Sequence, residues 1–271
     1  MANDGARLQL IRVLGPTRLA DYIWEIAMKA FVADSWDVFL AAVKAAKAEL
    51  REPDQVWFRG HANASHTLLP SLLRTNDGLS KETLLFQKFV QYSFRIFRRR
   101  ASDWETLFDM QHYGLPTRLL DWSETLGIAT FFAVNYRSAI ASDDAAIYVL
   151  DPVALNEYSG LKGVPFIPED VDFDYKKIYW HKKPFAPVYP IAIQPIFQND
   201  RILAQSGMFT VHGDDASPVE RMCPKAIKRI LLKRGAIDGA HEFLEIANIN
   251  ARSVFPDIFG VANYVRKLAD I

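Results

Sequence analysis

The chain has 271 residues, half of them apolar and 24% charged, with 32 acidic against 32 basic side chains. That composition excludes an intrinsically disordered chain, and the balanced charge excludes a strong global attraction to nucleic acid while leaving local basic clusters open. The single cysteine, Cys223, excludes an intramolecular disulfide framework and has no second ligand beside it for a metal.

No Ser/Gly/Pro-rich linker divides the sequence, so one large domain, or one domain with an N-terminal elaboration, is expected. Met1 to Gly15 lacks a basic start followed by an apolar run, and no uncharged apolar stretch reaches about eighteen residues. The expected location is the cytoplasm, with no membrane contact.

In chain order, Asp34-Ser35 caps a predicted helix whose apolar face is Trp36, Phe39, Leu40, Val43 and Leu50. Gln55 to Phe58 is short, aromatic and β-prone, and leads into Arg59-Gly60. A long helix from Ser80 to Arg100 places Leu84, Leu85, Phe89 and Phe97 inward, with Arg95 and Arg98-Arg99-Arg100 at its C-terminal end, where cations suit the helix dipole.

Ser102 to Glu105 has capping-box spacing for a helix containing Leu107, Phe108 and Met110, which Gly114 and Pro116 stop. Thr117 to Asp121 reads as extended, and Ser123 caps a helix over Leu126, Ile128, Ala129, Phe132 and Ala133, so two helices flank an exposed turn. Strands are predicted at Ala145–Leu150, Val188–Ile193, Met208–Val211 and Ile227–Leu232, and helices at Gly239–Ile249 and Ile258–Leu268. Helices gather early and strands late, which gives an α+β single domain with a helical N-terminal part and a mixed or antiparallel sheet.

Three segments carry chemistry. Phe58-Arg59-Gly60 puts a guanidinium at a strand end beside a glycine that permits close ligand approach; its planar fork suits a phosphate or ribose oxygens, or it pairs with a core carboxylate such as Asp121. The block from Gln111 to Ser123 packs polar side chains into a turn between helices. There Trp122 either stacks on a ring or is core, and Asp121, Ser123 and Thr117 either fix hydroxyls or join an internal network with Arg118 or Arg59. His112 alone reads as a satisfied histidine. In Arg201 to Phe209 a helical turn meets a strand through glycine, with Gln205 as a neutral cleft group. Arg59, Asp121, Trp122 and Gln205 are expected on one concave site.

Other chemistries find no support. His61 and His66 stand five apart with no His-Glu-x-x-His or Cys-x-x-Cys pattern, so no metal is expected. There is no Gly-x-x-x-x-Gly-Lys loop and no Gly-x-Ser-x-Gly elbow, which sets aside kinase-like and hydrolase-like readings. Lys225, Lys228, Arg229, Lys233 and Arg234 bracket a strand as a solvated face or, with Arg95 to Arg100, as a guide for RNA or DNA.

Together the three segments resemble the FRG-domain family of bacterial and phage-associated proteins. Its hallmarks are an aromatic-Arg-Gly element, a Gln-His-Tyr-Gly-x-Pro-Thr-Arg-Leu-Leu-Asp-Trp-Ser/Thr block and a late Gln-x-Gly-x-Phe element, and the resemblance runs from about Trp36 to Val265, which implies an N-terminal extension over residues 1–35 and the domain over residues 36–271. The motif order is similar to ADP-ribosyltransferases, which implies an ADP-ribosyltransferase-like fold and NAD as substrate. By that analogy Arg59, Asp121 and Gln205 form the catalytic set, while Arg59, Gly60, His112, Tyr113, Thr117, Arg118, Trp122 and Ser123 hold the nucleotide.

The resemblance further implies a toxin or phage-defence effector acting on a nucleic acid or protein. Its alternative is a non-catalytic module that senses a nucleotide or binds a partner protein. The family analogy expects a late glutamate, and Gln205 stands in its place. A glutamine cannot accept a proton as a carboxylate does, so Asp121 or Glu124 must supply that role or catalysis is lost.

Overall fold

A computed structural model of the protein describes residues 30–98, 101–135, 144–167 and 173–269. Residues 1–29, including the Met1–Gly15 stretch, and Arg99 and Arg100 of the basic cluster lie outside the described residues.

Strand β1 (Phe31–Ala33), just ahead of the expected boundary at position 36, leads to Ser35, whose side chain accepts from Val38 N and starts α1 (Trp36–Glu49). The buried face of α1 is Phe39, Ala42 and Ala46, continued by Leu50; Leu40, expected inward, is exposed because small alanines let α1 lie close to the sheet on a neighbouring stripe. Strand β2 (Trp57–His61) and the short α2 (Ser71–Arg74) precede α3 (Gly78–Phe97). In α3 the inward residues are Glu82 and Phe86, and Leu84 is exposed: the helix turns its buried carboxylate towards Arg118.

The capping box of Ser102 and Glu105 forms in both directions and opens α4 (Asp103–His112), which ends before Gly114 in a left-handed conformation. Strand β3 (Leu119–Ser123) follows. The expected exposed turn is therefore a mostly buried strand, of which only Asp121 is exposed. Next come α5 (Leu126–Asn135), β4 (Ala145–Leu150), α6 (Pro152–Glu157), β5 (Phe166–Ile167) and one π-helical turn, Lys176–Trp180.

Strand β6 (Ile191–Pro195) starts after Pro190, which has no N–H for the ladder, and so begins later than Val188. After α7 (Asp200–Ala204), β7 (Gly207–Val211), α8 (Val219–Met222) and β8 (Ile227–Leu232) comes α9 (Arg234–Ile246). Gly239 is interior to α9 and not its start: a Cβ there would stand 2.6 Å from Trp36 Cβ, so the glycine lets α9 close on α1. The short α10 (Ala251–Val254) and α11 (Ile258–Leu268) complete the chain.

The eight strands form a mixed sheet in the order β1-β8-β4-β2-β3-β7-β6-β5, with β1–β8 and β5–β6 parallel and the other neighbours antiparallel. This is the α+β, single-domain architecture expected. Helices α1, α5 and α9 cover one face of the β1-β8-β4-β2 half around Phe39, Ala133, Ile147 and Ile230, while α3 and α4 cover the other half around Phe108, Ile193 and Phe209. Among the described residues no helix is long and apolar enough to cross a membrane.

Candidate functional site where the sheet parts

The two halves of the sheet meet at β2 and β3, which pair at a single position, Phe58 with Ser123. Beyond it the strands diverge, and the Asp121 carbonyl accepts from Nη1 of Arg59. Gly60 lets α5 press onto β2: a Cβ there would stand 1.9 Å from Ala129 O and 2.7 Å from Ala133 N. Helix backbone therefore fills the direction a side chain would take at Gly60, while the residue itself borders the cleft described below.

Arg59 is held from both ends. Its Nε donates to Nε2 of His61 at 3.0 Å, and its Nη1 also lies 3.7 Å from Asp121 Oδ2. Burial lowers the Arg59 pKa and Asp121 opposes the shift, leaving a charged guanidinium. Nη2 makes no hydrogen bond among the described residues. His61, absent from the predicted site, is the orienting partner; its position two residues along the strand from Arg59 puts both side chains on one face, a signal present in the sequence.

Arg59, Asp121, Trp122 and Gln205 all border one cleft of about 130 Å³, together with Ser123 and Arg201. The Asp121 side chain is 53% exposed and accepts from Gln111 Nε2 at 2.9 Å, so it is no buried carboxylate. Gln205 ends α7 and its Nε2 donates to Val254 O at 3.1 Å. Ser123 is buried; its hydroxyl donates to Gln205 O at 2.6 Å and accepts from Thr125 N at 2.9 Å, fastening β3 to the end of α7. Glu124, the other carboxylate considered, accepts instead from Gln55 Nε2.

Arg201 is the second group that the sequence reading left without a role. Its guanidinium lies over the Phe255 ring at 4.9 Å and donates from Nη1 to His112 O at 3.3 Å, at the junction of the cleft with a groove running outward past His112. Standing four positions before Gln205 on α7, it shares that residue's helical face. The cleft thus offers two guanidinium groups and one carboxylate, an arrangement suited to an anionic ligand.

The rest of the central block is scaffold. Trp122 is 3% exposed, packs with Trp57, Leu120 and Met208, and donates from Nε1 to Thr210 Oγ1 at 3.1 Å, so the expected stacking on a ligand ring is corrected: its indole is core. Thr117 is buried, donating to Gln111 Oε1 and accepting from Leu119 N at 3.0 Å. Arg118 is also buried, forks onto both Glu82 oxygens at 2.7 Å, and donates to Asp214 at 2.9 Å and Gly213 O at 2.8 Å. Burial opposes the Arg118 charge, but Glu82 outweighs it and raises the pKa. Neither Thr117 nor Arg118 borders the cleft.

His112 and Tyr113 border the outer groove. Burial, then Arg201, lowers the His112 pKa. In the late basic cluster Lys228 pairs with Glu49, Lys233 with Asp144 and Arg234 with Asp238, while Arg229 donates to Ala64 O.

No curated protein and no solved structure matches the chain. The family model described as FRG domain matches residues 54–142, which takes in Arg59 and the whole block from Gln111 to Ser123 but not Gln205. The strand that presents Arg59 and the strand that presents Asp121, parting at one rung, both lie within the stretch that matches the FRG domain.

Proposed function

We propose that the cleft binds NAD and that the protein is an ADP-ribosyltransferase-like enzyme. The observation that carries this reading is Arg59: Nε and Nη1 are fixed by His61 and the Asp121 carbonyl, leaving Nη2 free to engage a phosphate at the cleft. Arg201 adds a second cation on the opposite half of the sheet. A cleft of about 130 Å³ is smaller than the ~300–1,000 Å³ of a site enclosing a whole ligand, so one end of the dinucleotide enters and the rest stays outside the cleft.

In the transfer, the bond from ribose C1′ to the nicotinamide nitrogen breaks and its electron pair leaves with nicotinamide. The acceptor's nucleophile bonds to C1′, and its proton passes to Asp121, the carboxylate that borders the cleft. Toxin and phage-defence roles follow from the family resemblance alone. A second reading, nucleotide sensing without catalysis, draws on Gln205, whose amide is tied to Val254 O and supplies no base.

Calorimetry with NAD and an assay of nicotinamide release in cell extract separate the two. The transferase reading expects wild type to bind NAD and release nicotinamide, and Asp121→Asn to bind within about threefold but release at least about a hundredfold less, the scale of a lost general base. Binding with no release by wild type favours sensing; no binding at all removes both.

A further inference from the structure

Outward from Arg201, the groove between the end of α4 and the start of α11 holds about 580 Å³ and is bordered by His112, Tyr113, Phe255 and Phe259. Two of these rings are in solvent, Tyr113 at 59% exposure and Phe259 at 77%. Rings continue from there: His112 meets Tyr113 edge-on at 4.6 Å, Tyr113 meets Phe97 at 5.9 Å, and Phe97 meets Phe89 at 6.1 Å. Phe97 ends α3 and the exposed Arg98 follows it directly, so one cation adjoins this row of rings. Burial of apolar area does not account for Tyr113 and Phe259, which remain wet.

Solvent-facing aromatic rings in an open groove flanked by arginines form the stacking platform and cationic track that single-stranded nucleic acids use. A base presents a π-face to each ring regardless of sequence, while its phosphates need only nearby cations. The groove opens into the cleft through Arg201, so a strand lying along it delivers a nucleotide to Asp121. The neutral total charge points to local rather than long-range attraction.

We propose that this groove holds a single-stranded nucleic acid, with bases on Tyr113 and Phe259 and its backbone at Arg98, and that it is the acceptor. The acceptor role rests on the transferase reading of the cleft; the binding surface does not.

Fluorescence anisotropy with end-labelled single-stranded RNA and DNA of about twelve nucleotides tests it on the full chain. At least one strand should bind wild type, more weakly as salt rises. Tyr113→Ala and Phe259→Ala should each weaken binding about five- to tenfold, Phe259→Trp should retain it, and Arg98→Ala should flatten the salt dependence. RNA alone binding assigns a role to the 2′-hydroxyl; both binding assigns stacking as the main contact. The proposal is overturned if neither strand binds wild type, or if both alanine variants bind as wild type does. If NAD fails to bind while oligonucleotide binding responds as expected, the transferase reading and the acceptor role fall, and the surface stands.

Discussion

Arg59 and His61, two residues apart on one strand, are joined by a hydrogen bond of 3.0 Å from Nε to Nε2. An arginine Nε is a donor only, so the imidazole accepts there and carries its proton on Nδ1, which donates to His66 O at 3.2 Å. Burial first, and the Arg59 charge second, bring the His61 pKa down to about 3. The ring that aims the arginine is thus neutral near pH 7.

This has a consequence for acid stability. His212, fully buried beside Thr210, also has its pKa lowered by burial to about 3. Between the ordinary 6.5 and about 3 the unfolded chain binds protons that the folded chain refuses, so stability falls as pH falls through that window. The slope reaches about 1.4 kcal/mol per pH unit for each histidine. Urea midpoints measured from pH 7 to pH 4 should drop steeply for wild type and less for His61→Gln and His212→Gln; equal slopes would place the acid sensitivity elsewhere.

Arg59→Lys keeps a charge but loses the fork, and Arg59→Ala loses both. Each should weaken NAD binding about ten- to a hundredfold, as expected for a lost charge-assisted contact of about 1.5–3 kcal/mol. Because Asp121 is half exposed, neither leaves a buried carboxylate alone, and melting temperature should move by only a few degrees. Calorimetry and thermal melting on the same samples check both halves. Unchanged affinity with a large loss of stability would make Arg59 scaffold.

Arg118 behaves oppositely. Glu82 gives it both oxygens and also accepts from the Tyr175 hydroxyl, all in the interior. Arg118→Ala should cost about 3–5 kcal/mol because it leaves the buried Glu82 carboxylate without its cation, and Glu82→Ala less, because Asp214 still pairs with Arg118. Denaturation curves should show this with no specific effect on NAD affinity in the folded fraction.

Gly60→Ala drives a Cβ into the α5 backbone, at 1.9 Å from Ala129 O, where nothing flexible can yield. Soluble yield should collapse, by a loss of several kcal/mol typical of severe core overpacking. Gly114→Ala has open space around its Cβ but a φ of +78°, and should cost only about 1 kcal/mol. Comparable losses in the two variants would contradict the packing account.

The elements legible in the sequence were those set by local chemistry. The Ser102–Glu105 box needs only residues three apart, and Ala145–Leu150 is an apolar run buried on both faces, so their bounds could be read directly. Leu84 misled because the sequence does not show that a buried glutamate, Glu82, faces inward to meet an arginine 36 positions later.

The central block allows two readings in sequence, a ligand surface or an internal polar network. Thr117 turns to Gln111 six positions back, and Arg118 and Trp122 turn to internal partners far along the chain, pairings that sequence alone does not show. Conversely His61 and Arg201 sat at readable spacings from Arg59 and Gln205, two along a strand and four along a helix, and were passed over because neither belongs to a family hallmark.

A ladder of one rung is a seam held mainly by side chains. Among the described residues Phe58 and Ser123 supply the only backbone register between β2 and β3, and the core of Trp57, Tyr148, Leu120, Trp122 and Met208 crosses from one half-sheet to the other. A diphosphate gripped by Arg59 from one side and Arg201 from the other would bridge that seam and stiffen it, so occupancy is converted into rigidity. At a hundred times its Kd such a ligand adds about 2.7 kcal/mol to folding stability, and the slowing of amide exchange should be greatest at the seam, where β2 and β3 diverge.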